Sequence, residues 1–444
     1  MSSALQLTAL LIFIVVYVLL FVFQKYRAYI AIFGAIIFII LTILPYYRIL
    51  VGINWNVLLI IAGTMGTVSL FIDSKMPNKI ADIIISKSKN AMWMVFMLSL
   101  FAGIISAFVD NVATVLMIAP VALVMCKKLN ISPVPSLVAI AVSSNLQGAA
   151  TLVGDTTSVL MAGEAGMNFL DFFFMKGRLG MFFVTEIGAV VSLLVLLLLF
   201  RKDKQPIASI EKTVVTDYLP SIALIMTVVM LIISSVFDWH IYLNPSATIA
   251  VEKLDVINGV ICVAVFIVAL IYECIKNHSW TVCKKAFTDI DYFTLLLLLG
   301  LFLLIAGIKE AGWIDRVSLF IQRMGGGSVF AVYTIIVWVS VICSAFIDNI
   351  PYVTTMLPVC TGLAVAFESA GTPVNPELLY FGLLVGATLG GNLTPIGASA
   401  NIAAIGILRK DGYEVKNKDF FKIGIPFTLA AVITGYLLVW FIWG

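Results

Sequence analysis

The stretch SAFVDNVATVLMIAPV, residues 106–121, places Asp110 and Asn111 within otherwise apolar sequence. A second stretch, SAFIDNIPYVTTMLPV at residues 344–359, is identical to it at 8 of 16 positions, including the Asp-Asn pair and the proline. Two unrelated apolar helices would rarely share these features in the same register, so the stretches indicate an internal repeat. Because a carboxylate inside a membrane is costly, each Asp-Asn pair is a candidate functional site.

The composition of the chain is that of a protein that crosses a membrane many times. Of its 444 residues, 62% are hydrophobic and 11% are charged, and the mean hydropathy is +1.11. Soluble proteins average roughly 45–50% apolar and about 25% charged residues. We predict an all-α polytopic membrane protein with about ten spans, each near the roughly 20 residues that a bilayer core requires. These spans are residues 4–23, 29–45, 54–72, 134–162, 180–200, 219–237, 256–272, 292–308, 377–407 and 420–443.

Two further apolar segments, residues 91–126 and 328–363, are each interrupted near the middle by an Asp-Asn pair. Each segment is predicted to form a re-entrant helical hairpin whose tip lies at membrane depth. Non-helical backbone is tolerated there only where protein buries it or where it lines a watery cavity. Both tips are therefore predicted to be part of a site.

A second pair of motifs follows the hairpins. GAATLVGDTTSV at residues 148–159 interrupts the predicted span 134–162, and GGNLTPIGASANI at residues 390–402 interrupts the span 377–407. With five spans each, the segments 1–200 and 219–444 must face opposite ways across the membrane, and residues 201–218 join them as a cytoplasmic linker. This pattern predicts inverted-topology repeats, which in secondary transporters place the site at discontinuous helices.

Basic residues orient the chain, since Lys and Arg collect in cytoplasmic loops. If both termini are extracytoplasmic, 20 of the 27 basic residues lie on the inner side. We therefore predict a multi-pass protein of the plasma (inner) membrane with both termini outside.

The polar residues of the four motifs supply the ligands that a small ion requires. Carboxylates, amides and freed backbone carbonyls suit a hard cation such as Na⁺, and a desolvated carboxylate can instead carry a proton. Alternatively, each Asp only caps the second helix of its hairpin. The predicted substrate- or ion-binding residues are Asp110, Asn111, Thr114, Asn145, Gly148, Thr151, Gly154, Asp155, Thr156, Thr157, Ser158, Asp348, Asn349, Thr388, Asn392, Thr394, Gly397, Ser399 and Asn401. A Na⁺ site is predicted at Asp110, Asn111, Asp348 and Asn349, and no other cofactor is expected.

The two halves differ at these positions. Asp155 is matched by Ala398 and Ser158 by Asn401, which suggests separate roles for the halves within one site. Glu186 is another acid at membrane depth, outside the repeated motifs, and either a functional or an interface role is open for it. The six cysteines include no CxxC pair, and packing is predicted for them rather than a metal or a disulfide.

SAFIDNIPYVTTMLPV and GGNLTPIGASANI resemble the ion-transporter superfamily of arsenite-efflux permeases, NhaD-type Na⁺/H⁺ antiporters, the P protein, and citrate and dicarboxylate/Na⁺ symporters. The resemblance is strongest to the arsenite-permease and P-protein branch. Dicarboxylate carriers have Ser-Asn-Thr at the hairpin tips, where this chain has Asp110-Asn111-Val112 and Asp348-Asn349-Ile350. The arsenite and P-protein branch usually has Gly-Asp-Pro-Pro-Asn at the first interruption, whereas residues 154–158 read Gly-Asp-Thr-Thr-Ser, closer to NhaD.

The resemblance implies a scaffold domain, a transport domain that moves as an elevator, and often a homodimer. An arsenite permease would also imply a separate ATPase subunit, since no P-loop ending in GK[ST] occurs here. The sequence thus predicts an ion-coupled permease for a small solute and no nucleic-acid partner. Arsenite or antimonite efflux and Na⁺/H⁺ exchange are the favoured activities. A citrate or dicarboxylate carrier is the alternative; an intramembrane aspartyl protease and a passive channel are the competing classes.

Overall fold

The computed structural model of the chain describes residues 1–207, 213–215, 217–237, 239–243, 254–278 and 280–444. Part of the predicted linker, residues 208–212 and 216, lies outside the described residues. The described chain is almost entirely helical, with two two-residue hairpin ladders, β1–β2 at Phe174–Met175 and Arg178–Leu179 and β3–β4 at Tyr242–Leu243 and Leu254–Asp255. The helices are α1 Ser3–Val22, α2 Arg27–Ile40, α3 Ile49–Gly52, α4 Trp55–Asp73, α5 Met76–Lys87, α6 Ala91–Ser106, α7 Asn111–Lys128, α8 Pro133–Gln147, α9 Thr156–Ala165, α10 Met181–Phe200, α11 Leu219–Phe237, α12 Ile257–Asn277, α13 Trp280–Thr288, α14 Tyr292–Glu310, α15 Trp313–Met324, α16 Val329–Ser344, α17 Asn349–Ser369, α18 Pro376–Leu384, α19 Ser399–Lys410 and α20 Asn417–Trp443.

Within the described residues, nine helical segments are long and apolar enough to cross a membrane. Seven of them correspond to predicted spans, and the others are α7 and α17, which were predicted to be the returning arms of the hairpins. A tenth span arises if α15 and α16, bent by 112°, are counted as one. Helix α2 has 14 residues and is shorter than the predicted span 29–45. It ends at Ile40, and the chain turns at Leu41. These spans make the chain a multi-pass membrane protein.

The two Asp-Asn pairs stand where one helix ends and the next begins. Asp110 Oδ2 accepts hydrogen bonds from the backbone N–H groups of Val112 (3.0 Å) and Ala113 (3.1 Å), so it caps α7. Asp348 Oδ1 caps α17 by accepting from the N–H of Ile350 at 3.1 Å. Each cap satisfies N–H groups that a helix leaves without partners. Both residues therefore cap their helices, and each cap engages only one carboxylate oxygen; that capping is their sole role stays an alternative prediction.

The predicted interruptions break both later spans. Helix α8 ends at Gln147, a short turn covers 148–150, and α9 starts at Thr156. Helix α18 gives way to a wider π-type turn at 385–389, and α19 starts at Ser399. A Cβ at Gly154 would lie 2.6–2.8 Å from three backbone carbonyl oxygens, so only glycine fits this crossing.

Small residues bring the remaining helices into backbone contact. A Cβ at Gly63 of α4 would lie 2.5 Å from the carbonyl carbon of Cys262 in α12, and one at Gly300 of α14 would lie 2.6 Å from that of Ala31 in α2. Close approach of this kind stabilises helix pairs in membranes by van der Waals packing. Arg27 of α2, Met65 of α4 and Thr294 of α14 line the space beside the Asp-Asn turns, and α12 packs on α4.

One sequence prediction is wrong at the end of α12. Cys274 and Cys283 form a disulfide across the connection from α12 to α13, whereas packing alone was predicted for all six cysteines. The nine-residue spacing matches no short redox or metal motif, so the pattern gave no indication of the bond. The other four cysteines are free.

Candidate functional site

A cavity of about 560 Å³ brings the two Asp-Asn turns together. Its wall includes the C-terminal half of α4 and the first residues of α2, α7, α9, α14, α17 and α19. Eight of the predicted site residues line it: Asp110, Asn111, Asn145, Asp155, Thr156, Asp348, Asn349 and Ser399. Residues more than 200 positions apart in the chain thus share one polar space.

The first-half wall of the cavity contains two carboxylates. Asp110 caps α7, and Asp155, 8% exposed, stands directly before α9 and accepts a 2.8 Å hydrogen bond from Thr157 Oγ1. A side cavity of about 20 Å³ adjoins both acids and Thr156. A space of this size holds one water-sized occupant, so the first half has room for a small cation between two acids.

The wall around the second Asp-Asn turn has one carboxylate, Asp348, and a basic partner from the first half. Arg27, the first residue of α2, donates from Nη1 to Asp348 Oδ2 at 2.8 Å, and the two side chains are 18% and 21% exposed. Ser399 Oγ donates to the same oxygen at 3.4 Å. Ala398 stands where the first half has Asp155. The surroundings of the two Asp-Asn turns therefore present different charges to one cavity.

The mouth of the cavity adds three acids and a lysine that the sequence analysis did not single out. Lys285 forms an ion pair with Asp73, Ser69 Oγ donates to Asp289 Oδ2 at 2.6 Å, and Asp291 caps α14. With both ion pairs counted, six lining carboxylates face two basic side chains. When every acid is ionised, the wall carries four excess negative charges, which favours cations.

Uncharged side chains tie the two interrupted spans together behind the cavity. Asn145 Nδ2 donates to the carbonyl of Thr388 at 2.8 Å and to Asn392 Oδ1 at 3.1 Å. Asn392 Nδ2 donates to the carbonyl of Val142 at 3.0 Å, and Thr157 Oγ1 lies 2.9 Å from Thr388 Oγ1. These groups are buried, where unpaired amides would be costly. They fix the position of one break against the other.

The remaining predicted residues lie off the cavity wall. Thr151 and Thr394 donate to the carbonyls of Ala107 and Ala345, which connects each break to the adjacent Asp-Asn turn. Asn401 donates to the carbonyl of Thr394 at 3.2 Å. The others that do not line the cavity are Thr114, Gly148, Gly154, Thr157, Ser158, Thr388, Asn392 and Gly397. Their contacts support the two breaks.

Among the described residues, no group of three or more His, Cys, Asp or Glu side chains is placed to hold a metal ion. Asn111 Nδ2 donates to Asn145 Oδ1 at 2.9 Å, and Asp348 is paired with Arg27. The predicted Na⁺ ligands therefore fall into two separate environments, and a Na⁺ site stays a prediction.

A second cavity, of about 580 Å³, enters from the opposite end of α4 and α14. It is lined by residues near Trp55 at the start of α4 and near Lys309 at the end of α14, and by none of the six acids above. Helix α4 rises roughly 27 Å between its ends at about 1.5 Å per residue. The two cavities approach the interrupted spans from opposite sides.

An acidic cavity between interrupted helices of a polytopic protein is the arrangement of a membrane transporter. A profile described as "Citrate transporter" matches residues 17–386. The chain belongs to this citrate transporter family, which confirms the predicted membership of the ion-transporter superfamily.

Similar curated proteins are transporters or membrane proteins. An uncharacterised transporter of Mycobacterium tuberculosis is 27% identical over 446 residues, covering 98% of each chain. The 46 kDa membrane protein of Mycobacterium leprae is 28% identical over 97% of each chain. The human P protein is 27% identical over 87% of this chain and 54% of its own, so the chain spans about half of the P protein.

Two solved structures share the fold. The YdaH transporter of Alcanivorax borkumensis superposes with a TM-score of 0.56 at 15% identity, covering 89% of this chain and 87% of YdaH. MtrF of Neisseria gonorrhoeae, described as one of a class of antimetabolite efflux pumps, gives a TM-score of 0.55 at 14% identity, covering 88% and 82%. These two matches show a shared fold. The family and the apolar helices together make the chain a multi-pass membrane transporter.

Proposed function

We propose that the protein is a cation-coupled secondary active transporter that exports or exchanges a small inorganic ion, with Na⁺/H⁺ exchange and arsenite or antimonite efflux as the candidate activities. The main support is the excess of carboxylates over basic groups in the cavity. Such a wall concentrates cations and repels anions. The transporter family gives no support to the aspartyl protease alternative, and a passive channel would show no coupling between gradients.

The coupling cation, Na⁺ or H⁺, binds in this proposal between Asp110 and Asp155. These two acids share the small side cavity, and the ion pairs at the cavity wall involve other acids. Thr156 Oγ1 and the backbone of the break supply further neutral oxygens, which suits a hard monovalent cation. The capping role of Asp110 is compatible with this, since the cap engages one carboxylate oxygen.

The transport cycle we propose uses two inverted repeats and exposes the acids to one side of the membrane at a time. The acidic cavity opens beside Asp73 at the end of α4 and Lys285 in α13, on the side that the distribution of basic residues predicts to be inside, and the second cavity opens at the other side. In this proposal the interrupted spans and re-entrant hairpins move as an elevator against the scaffold of α4, α12, α2 and α14. The assembly is a homodimer in the plasma membrane with both termini outside.

The alternative cargo is an organic anion such as citrate, which the family description supports. Four of the helices that begin at the cavity, α7, α9, α17 and α19, follow an Asp-Asn turn or a break, and a helix N-terminus attracts anions. Helix α19 is the one of these four that no carboxylate precedes, and Ser399 shares Asp348 with Arg27. An anion would bind there, with cations at Asp110 and Asp155 to offset the acidic wall.

Purified protein in liposomes distinguishes these cargoes. We expect an imposed Na⁺ or pH gradient to drive counter-movement of H⁺ or Na⁺, or arsenite movement, and labelled citrate to remain outside. Asp110→Asn and Asp155→Asn should each lower coupled flux at least about tenfold, since each removes a charge from the cation site. Asp419→Asn, an exposed acid of α20 away from the cavity, is the matched control and should transport like wild type.

Two results contradict the proposal. Citrate uptake without Na⁺/H⁺ or arsenite movement assigns the cavity to an organic anion. Unchanged coupled flux in both cavity variants, with wild-type expression and melting temperature, removes Asp110 and Asp155 from the coupling site.

A further inference from the structure

Glu186 lies within α10 and does not line the acidic cavity. Its Oε2 accepts a 2.8 Å hydrogen bond from Nε2 of Gln147, the last residue of α8. A Cβ at Gly103 of α6 would lie 1.3 Å from Gln147 Oε1, so the amide occupies the space over this glycine. Three residues from three helices thus form one contact directly before the first break.

The repeated motifs show that the second half fills the same place differently. In the register that pairs the two Asp-Asn stretches, Gly103 corresponds to Val341; in the register of the breaks, Gln147 corresponds to Gly390. A Cβ at Gly390 would lie 2.7 Å from Cα of Val341. In the first half, Gly103 faces the larger side chain of Gln147. In the second half, the larger side chain is Val341, at the position of Gly103, and it faces Gly390, at the position of Gln147.

Glu186 is also specific to the first half. Thr185 follows Gly148 by 37 residues, and Thr428 follows Gly391 by the same interval, so Glu186 corresponds to Leu429. The second half therefore has neither the amide nor the carboxylate. An amide-carboxylate pair inside a membrane costs more than an apolar contact, so its presence in one half calls for a role there.

We propose that Gln147 and Glu186 are positioning residues for the cation site of the first half. Gly148, which follows Gln147, packs on Asp155, since a Cβ at Gly148 would lie 3.1 Å from the Cβ of Asp155. The bond from Gln147 to Glu186 fixes the end of α8, and the end of α8 sets where Asp155 meets the cavity. The inference rests on the proposed coupling role of Asp155.

The asymmetry of charge agrees with this assignment. In the second half, Arg27 holds Asp348 from a neighbouring helix at 2.8 Å. Asp155 has a hydroxyl bond from Thr157 within its own helix start. The hydrogen bond from Gln147 to Glu186 lies outside the cavity and holds the chain next to Asp155. It fixes Asp155 without placing a positive charge beside the cation that Asp155 binds in the proposal.

Three variants separate positioning by a hydrogen bond from a need for charge. Glu186→Gln keeps an oxygen that can accept from Gln147, whereas Glu186→Leu introduces the residue of the second half. The triple variant Gly103→Val, Gln147→Gly and Glu186→Leu reproduces the packing of the second half. Because all three positions then match each other, it controls for misfolding caused by an unpaired Gln147 in the single Glu186→Leu variant. We expect Glu186→Gln to behave like wild type and the other two to raise the half-saturating concentration of the coupling cation about tenfold.

A readout without cargo tests the same idea independently. Thr156→Cys places a thiol at the cavity wall beside Asp155, and its rate of modification by a water-soluble methanethiosulfonate reagent reports the position of the break. Protein without this cysteine gives the background from the native thiols. The rate should be unchanged by Glu186→Gln and should shift at least about fivefold in the leucine and triple variants.

Unchanged modification rates in the leucine and triple variants overturn the inference. So does a Glu186→Gln variant as defective as Glu186→Leu, because the charge and not the hydrogen bond would then be required. If the rates shift as expected while wild-type protein moves no cation, the positioning role stands and the proposed transport activity fails.

Discussion

Replacing Arg27 and Asp348 one at a time should shift cation affinity in opposite directions. Arg27→Gln removes a positive charge from the wall of the acidic cavity, and Asp348→Asn removes a negative one. A sphere of 560 Å³ is about 10 Å across, and one unit charge at about 10 Å in an effective dielectric of roughly 20–40 changes a cation's energy by about 1–2 kcal/mol. That energy corresponds to about five- to thirtyfold in affinity.

We therefore expect Arg27→Gln to lower the half-saturating concentration of the coupling cation and Asp348→Asn to raise it, each by about this factor. The double variant restores the wild-type charge and should return close to wild-type affinity. The assay is cation-dependent flux in liposomes at constant ionic strength, because added salt would screen the effect. Shifts of both single variants in the same direction would refute the electrostatic account of the cavity.

Three other predictions address the frame and the orientation of the molecule. Gly154→Ala should destabilise the protein by about 1–3 kcal/mol through contact with backbone carbonyls, whereas Gly406→Ala, in open space within α19, should not lower the melting temperature. Replacing Asn145 or Asn392 with alanine should in either case lower the free energy of unfolding by about 1–3 kcal/mol. The double variant should lower it by less than the sum, which a double-mutant cycle measured by thermal denaturation tests. Lys418→Cys should react with an impermeant maleimide only in permeabilised cells; labelling of intact cells would reverse the predicted orientation.

Helix placement was largely predictable because membrane spans are determined by local composition. Helices α1, α4, α10 and α20 lie within a few residues of their predicted ranges, since apolar length alone selects them. The lengths of α7 and of its counterpart in the second half were harder to assign. Whether a helix after a polar turn crosses the membrane or returns to the same side depends on the helices packed against it. The composition of the helix itself does not reveal those neighbours.

The candidate site was predictable where it rests on the repeat and unpredictable where it rests on tertiary contacts. The Asp-Asn pairs and Asp155 stand out because polar residues interrupt apolar sequence. Arg27 belongs to none of the four motifs, and its partner Asp348 is 321 positions away. Asp289 and Asp291 sit in a polar connection of ordinary composition, so the folded helices alone reveal that they face the cavity.

The hydrogen bonds of Asn145, Asn392, Thr157 and Thr388 join the two breaks, and their chemistry determines how this helix crossing responds to pH. The amides of Asn145 and Asn392 do not ionise in the physiological range, so acidification leaves the bonds that they donate unchanged. Thr157 differs, because its hydroxyl also donates to Asp155. In the proposed transport cycle, the acids a few residues away change charge when an ion binds or leaves. This cycle therefore places the change of charge at the acids and the constant helix crossing at the bonds that Asn145 and Asn392 donate.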